Sequence, residues 1–168
     1  MMYQRILVPT DGSAGSERVL EHAIGLASVH DATVHALYVI NSGSFAGLPM
    51  ETSWEGLDDM LRADAEAAMD EVCAIAAESD VPVETAIVEG TPSREIVRFA
   101  EREGCDLVVM GTHGRGGIDR LLLGSVAEKV VRASEVPVLT VRVDGGDETE
   151  RGTEAESEGE TEPGVEAD

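Results

Sequence analysis

The chain has few aromatic residues, one lysine and two cysteines, and each shortage excludes a class of protein. Aromatic residues make up only 3% of the 168 residues, so a folded core must be built from aliphatic side chains. No apolar run approaches the roughly 20 residues of a membrane-spanning helix. The N-terminus lacks the features of a signal peptide. Cys73 and Cys105 lack the spacing of metal ligands. We therefore expect a cytoplasmic protein with no membrane association and with reduced core cysteines rather than a disulfide.

Positive charge is scarce, because 34 acidic residues stand against 12 basic ones and the formal net charge is −22. Proteins that bind nucleic acids through their phosphates need a positive surface, so we expect no nucleic-acid partner. Residues 144–168 carry a net −10 and residues 1–143 the other −12. An acidic body with a single lysine, Lys129, favours a halophilic source in which salt screens self-repulsion. An acidic protein from a mesophile is the alternative.

Apolar segments with strand and helix periodicity alternate along the chain. Strands are predicted at residues 5–9, 33–40, 81–88, 105–111 and 136–143, and helices at residues 16–29, 57–78, 92–103 and about 125–133. Strict alternation predicts an α/β fold, a doubly wound five-stranded parallel sheet in the order 3-2-1-4-5 with helices on both faces. Residues 1–143 are predicted to form this domain. Residues 144–168 are predicted to be an acidic disordered tail, because they contain almost nothing to bury.

Two polar, turn-rich junctions should meet at the carboxyl edge of such a sheet. Ligands of open α/β sheets bind where the strand order reverses, which here lies between strands 1 and 4. The segments that leave those strands are PTDGS (residues 9–13) and GTHGRGG (residues 111–117). Glycine turns let backbone N–H groups converge on an anion, and Gly124-Ser125 would open the last helix with further unpaired N–H groups. The pattern favours a phosphate cradle over a long flexible loop.

The glycines follow the spacing Gly-x2-Gly-x9-Gly-Ser, from Gly111 through Gly114 to Gly124 and Ser125. This spacing resembles the ATP-binding motif of the universal stress protein family. The segments ILVPTDGS, HALYVI and VPVLTVR resemble strands 1, 2 and 5 of that family, and the likeness covers about residues 3–143. The resemblance implies an ATP-binding domain, with the nucleotide bound alone or with Mg²⁺.

The resemblance also implies a role for twelve positions of this sequence. Those that would border the adenine and ribose are Pro9, Thr10, Asp11, Val39 and Met110. Those that would surround the phosphates are Gly111, His113, Gly114, Arg115, Gly124, Ser125 and Val126. Ala127 departs from many nucleotide-binding members, which have a second hydroxyl residue there; this weakens the expected phosphate contact without removing the motif.

Several of these residues also have a simpler explanation. Asp11 can cap the first helix, His113 can be a solvated loop residue, and Arg115 can offset local acid. Other nucleotide-binding classes fit less well, because no lysine follows a glycine loop as in a P-loop. Strand 1 is not followed by Gly-x-Gly-x-x-Gly either. We assign no catalytic residue and no metal ligand.

The combined expectation is a cytoplasmic, ATP-binding regulatory module of the stress response. Strand 5 would be an apolar sheet edge, and the family resemblance implies a homodimer that buries Val138, Leu139 and Val141 of this strand. Two alternatives stay open at this point. One is a nucleotide-free scaffold of the same fold, and the other is a slow Mg²⁺-dependent ATPase that uses His113 or Asp11.

Overall fold

The computed structural model of the protein describes residues 2–41, 43, 54–113 and 123–143. Strand and helix alternate strictly within these ranges. The elements are β1 (Arg5–Thr10), α1 (Ser16–His30), β2 (Thr33–Ile40), α2 (Trp54–Ala76), β3 (Val83–Glu89), α3 (Pro92–Arg102), β4 (Leu107–Gly111), α4 (Ser125–Ala133) and β5 (Val138–Val141). The predicted acidic tail, residues 144–168, lies outside the described residues.

The described strands form one sheet with the order β3-β2-β1-β4-β5, and every pairing in it is parallel. Parallel neighbours need a crossover connection, and a helix lies between each strand and the next along the chain. The predicted doubly wound sheet and its strand order are therefore confirmed. β1 lies at the centre, paired with β2 on one side and β4 on the other.

The core has two layers because successive side chains of a strand point to opposite faces of the sheet. On one face, Ile6 and Val8 pack in a cluster with residues of α1 and α2. On the other face, Leu7 and Val108 pack in a cluster with residues of α3 and α4. None of the helices within the described ranges is long and apolar enough to cross a bilayer.

Some local expectations differ from the structure. β5 covers Val138–Val141, a shorter range than the predicted residues 136–143. Thr91 is the N-cap of α3, but its side chain makes no capping hydrogen bond. The prediction that both cysteines lie in the core is wrong for Cys73, which is exposed, whereas Cys105 is buried. Cys73 directly follows the buried Val72 on α2, and one residue rotates a helix by about 100°, which carries Cys73 out of the apolar stripe.

Candidate functional site

A cavity of about 300 Å³ opens at the carboxyl edge of the sheet, beside the segments that leave β1 and β4. These strands are neighbours in the sheet although three helices separate them along the chain. The chain continues from β1 toward β2 and from β4 toward β5, so the two connections diverge and leave a crevice between them. The volume lies at the lower end of the range for small-molecule sites.

Ten of the twelve residues singled out from the sequence line this cavity. They are Pro9, Thr10, Asp11, Val39, Met110, Gly111, His113, Gly124, Ser125 and Val126. The other two, Gly114 and Arg115, lie outside the described residues. Parallel pairing thus gathers at one edge residues from β1, β2, β4 and the start of α4. Their role in binding a ligand stays a prediction.

One wall of the cavity is apolar and continuous with the core between the sheet and the helices α3 and α4. Leu37, Ile96 and Met110 are buried in this wall. Val39 and Val126 pack against the same cluster and keep part of their surface exposed. Leu37 and Val39 lie two residues apart on β2 and therefore project from the same face of the sheet. This wall can bury an apolar ring but offers few polar side-chain atoms to it.

The turn between β1 and α1 forms a polar wall, and Asp11 organises it. The Asp11 Oδ1 atom accepts hydrogen bonds from the Ser13 backbone N–H at 2.9 Å and from the Ser16 hydroxyl at 3.3 Å. The Ser13 and Ser16 hydroxyl oxygens lie 3.4 Å apart. Asp11 is not the N-cap of α1, because Gly15 occupies that position. The turn therefore holds a carboxylate and two serine hydroxyls at the edge of the cavity.

The end of β4 and the start of α4 form the third side of the cavity. Gly124 is the N-cap of α4, and its N–H donates to the Thr112 carbonyl at 2.7 Å. A Cβ at Gly124 would lie 3.0 Å from that carbonyl oxygen, so a larger residue here would have to displace the backbone of Thr112 by a few tenths of an ångström. His113 Nδ1 lies 3.1 Å from the Thr112 hydroxyl, a contact that the sequence did not indicate. These contacts fix the beginning of α4 against the end of β4.

Three helices begin at the cavity without a side-chain cap. The first residues of α1, α3 and α4 are Ser16, Pro92 and Ser125, which all line the cavity, and no N-cap side chain of these helices makes a capping hydrogen bond. The first N–H groups of a helix have no intrahelical partner, and each N-terminus carries roughly half a positive charge. At α1 the Ser16 N–H already donates to the Ser13 carbonyl at 2.9 Å, and Pro92 of α3 has no N–H. The first-turn N–H groups of α4 are therefore the best placed of the three for an anionic ligand.

Charged side chains are sparse around the cavity. Within the described part of its lining, Asp11 is the only carboxylate and His113 the only basic side chain. No group of histidine, cysteine or acidic side chains able to hold a metal ion occurs among the described residues. Backbone N–H groups at the helix N-termini, rather than arginine or lysine side chains, are therefore the groups of this part of the lining that can attract an anion.

The cavity also includes residues that the sequence analysis did not assign to it. They are Ser13, Gly15, Ser16, Val19, Leu37, Pro92, Ile96, Thr112, Ala127 and Val143. The two serines could have been found from the sequence, because they follow Asp11 within one turn. Pro92 and Ile96 carry no such signal, since their place depends on how far α3 extends over the sheet edge.

Both the sequence and the fold match known proteins. The model of the universal stress protein family matches residues 2–142. A universal stress protein of Methanocaldococcus jannaschii is 45% identical over 141 residues, which cover 84% of this chain and 83% of that protein. The solved structure of another protein of that organism is 34% identical with a TM-score of 0.76, and covers 87% of this chain and 100% of its own.

A third match is the crystal structure of a universal stress protein in complex with cAMP. It is 28% identical with a TM-score of 0.61, and the match covers 84% of this chain and 98% of that one. The resemblance inferred from the glycine spacing and the strand segments is confirmed by these matches. The chain belongs to the universal stress protein family.

Proposed function

We propose that this protein is an ATP-binding regulatory module of the stress response. The observation that carries the proposal is a single cavity with an apolar wall on one side and three uncapped helix N-termini around it. An adenine nucleotide combines a flat ring with charged phosphates, so it matches both parts. The cAMP bound to the relative of 28% identity supports adenine nucleotides as the ligand class.

The adenine ring would pack against the apolar wall, with Val39 and Met110 as its contacts. Pro9 and Thr10 would border the ring and the ribose from the end of β1. The carboxylate of Asp11 would accept a hydrogen bond from a ribose hydroxyl while its turn stays held by Ser13 and Ser16. A carboxylate that is already fixed by local donors loses little conformational freedom when it binds a ligand.

The phosphates would lie against the start of α4. The N–H groups of Ser125 and Val126 belong to the first turn and are free of intrahelical bonds. The Ser125 hydroxyl makes no hydrogen bond to any other residue that the structure describes, so it can donate to a phosphate oxygen without breaking a protein contact. Gly111 and His113 would border the phosphates from β4, with Gly114 and Arg115 following them in the chain. Mg²⁺ would accompany ATP through the phosphate oxygens.

We propose binding rather than catalysis as the function. His113 Nδ1 faces the Thr112 hydroxyl, an arrangement that differs from the histidine–carboxylate pair of a typical general base. Turnover of saturating Mg-ATP would favour the slow ATPase instead. Absence of ATP binding to the full chain would favour the nucleotide-free scaffold.

Ser125→Ala tests the phosphate contact. Loss of one hydrogen bond to a charged group is worth roughly 1.5–3 kcal/mol, so ATP affinity should fall about ten- to a hundredfold in calorimetric titration. Ser28→Ala is the matched control, because Ser28 is exposed on α1 away from the cavity lining and should bind ATP like the wild type. Equal affinity of Ser125→Ala and the wild type would refute this placement of the phosphates.

We also propose that the module is a cytoplasmic homodimer paired through β5. Within the described sheet, β5 lies at an edge and pairs with β4 alone, and Val138, Leu139 and Val141 keep part of their surface exposed. The carbonyls of Pro137 and Val141 accept hydrogen bonds from the β4 side. Because alternate residues of a parallel strand bond to opposite neighbours, the backbone of Thr140 points outward.

Thr140→Pro therefore removes an outward N–H and keeps the bonds to β4. We expect this variant to sediment as a monomer and Thr140→Val, which retains the N–H group, to sediment as a dimer. A wild-type chain that is monomeric at every salt concentration would refute the dimer.

A further inference from the structure

The two helical layers of the fold carry opposite charge. α1 and α2 contain nine acidic and two basic residues, whereas α3 and α4 contain three acidic and five basic residues. Five of the twelve basic residues of the chain thus lie on two adjacent helices. We call their surface the basic face; its side chains are all exposed and are Arg94, Arg98, Arg102, Lys129 and Arg132.

Local ion pairs offset only part of this charge. Three of the five cations pair with nearby glutamates, Arg98 at 3.2 Å, Arg102 at 2.9 Å and Arg132 at 3.1 Å. Exposed pairs of this kind are weak and exchange readily with other partners. Arg94 and Lys129 have no carboxylate within 4.0 Å in the described part of the chain. Counted against Glu95, Glu101, Glu128 and the adjacent Glu103, the basic face keeps a net charge of +1, whereas the chain as a whole carries −22.

We propose that the basic face docks the acidic C-terminal segment of the same chain, residues 144–168. This segment contains eleven acidic residues and one basic residue. It follows Val143, which lines the same cavity as Pro92 and Ser125, the first residues of α3 and α4. Val143 therefore lies at the sheet edge where α1, α3 and α4 all begin. Arg94 is the third residue of α3 and Lys129 the fifth of the nine residues of α4, so both lie in the first half or the middle of their helices.

Val143, the residue before the segment, is packed in place, and 25 residues are long enough to span the face. Val143 packs with the core on the α1 side, and a Cβ at Gly15 would lie only 2.6 Å from Val143 Cγ1. A helix the length of α3 is roughly 16 Å long at about 1.5 Å per residue. A flexible chain of 25 residues has a root-mean-square span of about 25–30 Å. The segment can therefore reach both ends of the basic face.

The charge of the helices favours docking of the segment to the α3–α4 layer over docking to the α1–α2 layer. α2 alone carries seven acidic residues and one basic residue, so it repels the segment. A tethered segment also has a high effective concentration at the face, on the order of millimolar for a short flexible tether. This favours residues 144–168 over an acidic partner from solution.

A spin label on the segment tests the proposal in the full chain. Cys73→Ser removes the exposed thiol, and Ala155→Cys places the label in the segment. Cys105 is buried and should not react. At low salt, the amide signals of α3 and α4 should broaden more than those of α1 and α2. Molar KCl should abolish this difference, because the Debye length falls from about 10 Å at 0.1 M to about 3 Å at 1 M.

Charge variants provide the matched comparison. Arg94→Gln combined with Lys129→Gln should strongly reduce the preferential broadening of α3 and α4. Arg18→Gln combined with Arg62→Gln removes the same charge from α1 and α2 and should preserve it. Equal broadening of the two layers, or equal effects of the two double variants, would overturn the proposal. Broadening of an unlabelled ¹⁵N chain by a spin-labelled ¹⁴N chain would assign the docking to a neighbouring molecule and overturn the intramolecular form.

Discussion

Replacing Gly124 with alanine tests the contact that holds α4 against the end of β4. The new Cβ would lie 3.0 Å from the Thr112 carbonyl oxygen and 3.5 Å from the His113 Cα atom. Both are backbone atoms, so no side chain can rotate away to relieve the first contact. The φ and ψ of Gly124, −61° and 157°, are accessible to alanine. The effect of the substitution is therefore steric and does not arise from backbone strain.

We expect Gly124→Ala to destabilise the fold by roughly 1–3 kcal/mol, the usual range for overpacking. This corresponds to a fall in melting temperature of about 2–12 °C for a chain of this size. ATP affinity should fall as well, because the shift displaces the N–H groups of Ser125 and Val126. Thermal unfolding followed by circular dichroism measures the first effect, and calorimetric titration the second.

Gly25→Ala is the control for this substitution. A Cβ at Gly25 would have nothing within 4 Å, and it lies inside α1, where alanine is favoured over glycine by up to about 1 kcal/mol. Its melting temperature should stay the same or rise, with ATP affinity unchanged. A Gly124→Ala variant that melts at the wild-type temperature, or an equal loss of stability in both variants, would refute a steric clash at Gly124.

Cysteine reactivity, the pH dependence of stability and its salt dependence supply three more predictions. Iodoacetamide at about pH 8 should add one group to the native protein, at Cys73, and a second at Cys105 only in denaturant. Burial, with Asp106 and Glu103 nearby, raises the pKa of the Cys105 thiol from 9.0 to about 11, so its contribution to stability should decline as pH rises from 9 to 11. Addition of two iodoacetamide groups to the native protein would contradict the burial of Cys105. The melting temperature should rise from 0.1 to 1 M KCl, because the carboxylates of this chain repel one another; a flat or falling curve would argue against a halophilic source.

The position of the cavity could be predicted because it depends on strand order alone. The apolar runs that end near Pro9 and at Gly111 are separated by three helical segments, and right-handed crossovers then bring the two ends side by side. Asp11 and His113 could be placed in one crevice on this basis. The spacing of apolar residues therefore also predicts long-range contacts in this fold, because each crossover helix must pack its apolar side against one face of the sheet.

Contacts across the cavity could not be predicted in the same way. Ile96 reaches the cavity from α3, and its position depends on how the buried face of that helix packs against the sheet. The bond from the Gly124 N–H to the Thr112 carbonyl depends on the path of the intervening segment, which periodicity does not determine. The exposure of Cys73 was mispredicted for a similar reason on a smaller scale. A residue next to the apolar stripe of a helix is easily assigned to the buried side, although a shift of one position turns it toward solvent.

We propose that an adenine nucleotide binds where α1, α3 and α4 begin. The most direct measurement is a titration of the ¹⁵N-labelled full chain with ATP and, in parallel, with adenosine, followed through the amide signals. With ATP, we expect saturable shifts of the amide signals of Thr112, Ser125 and Val126. Adenosine should bind more weakly and shift the two α4 amides less, because it lacks the phosphates. Millimolar ATP that leaves these three amides unshifted would contradict the account.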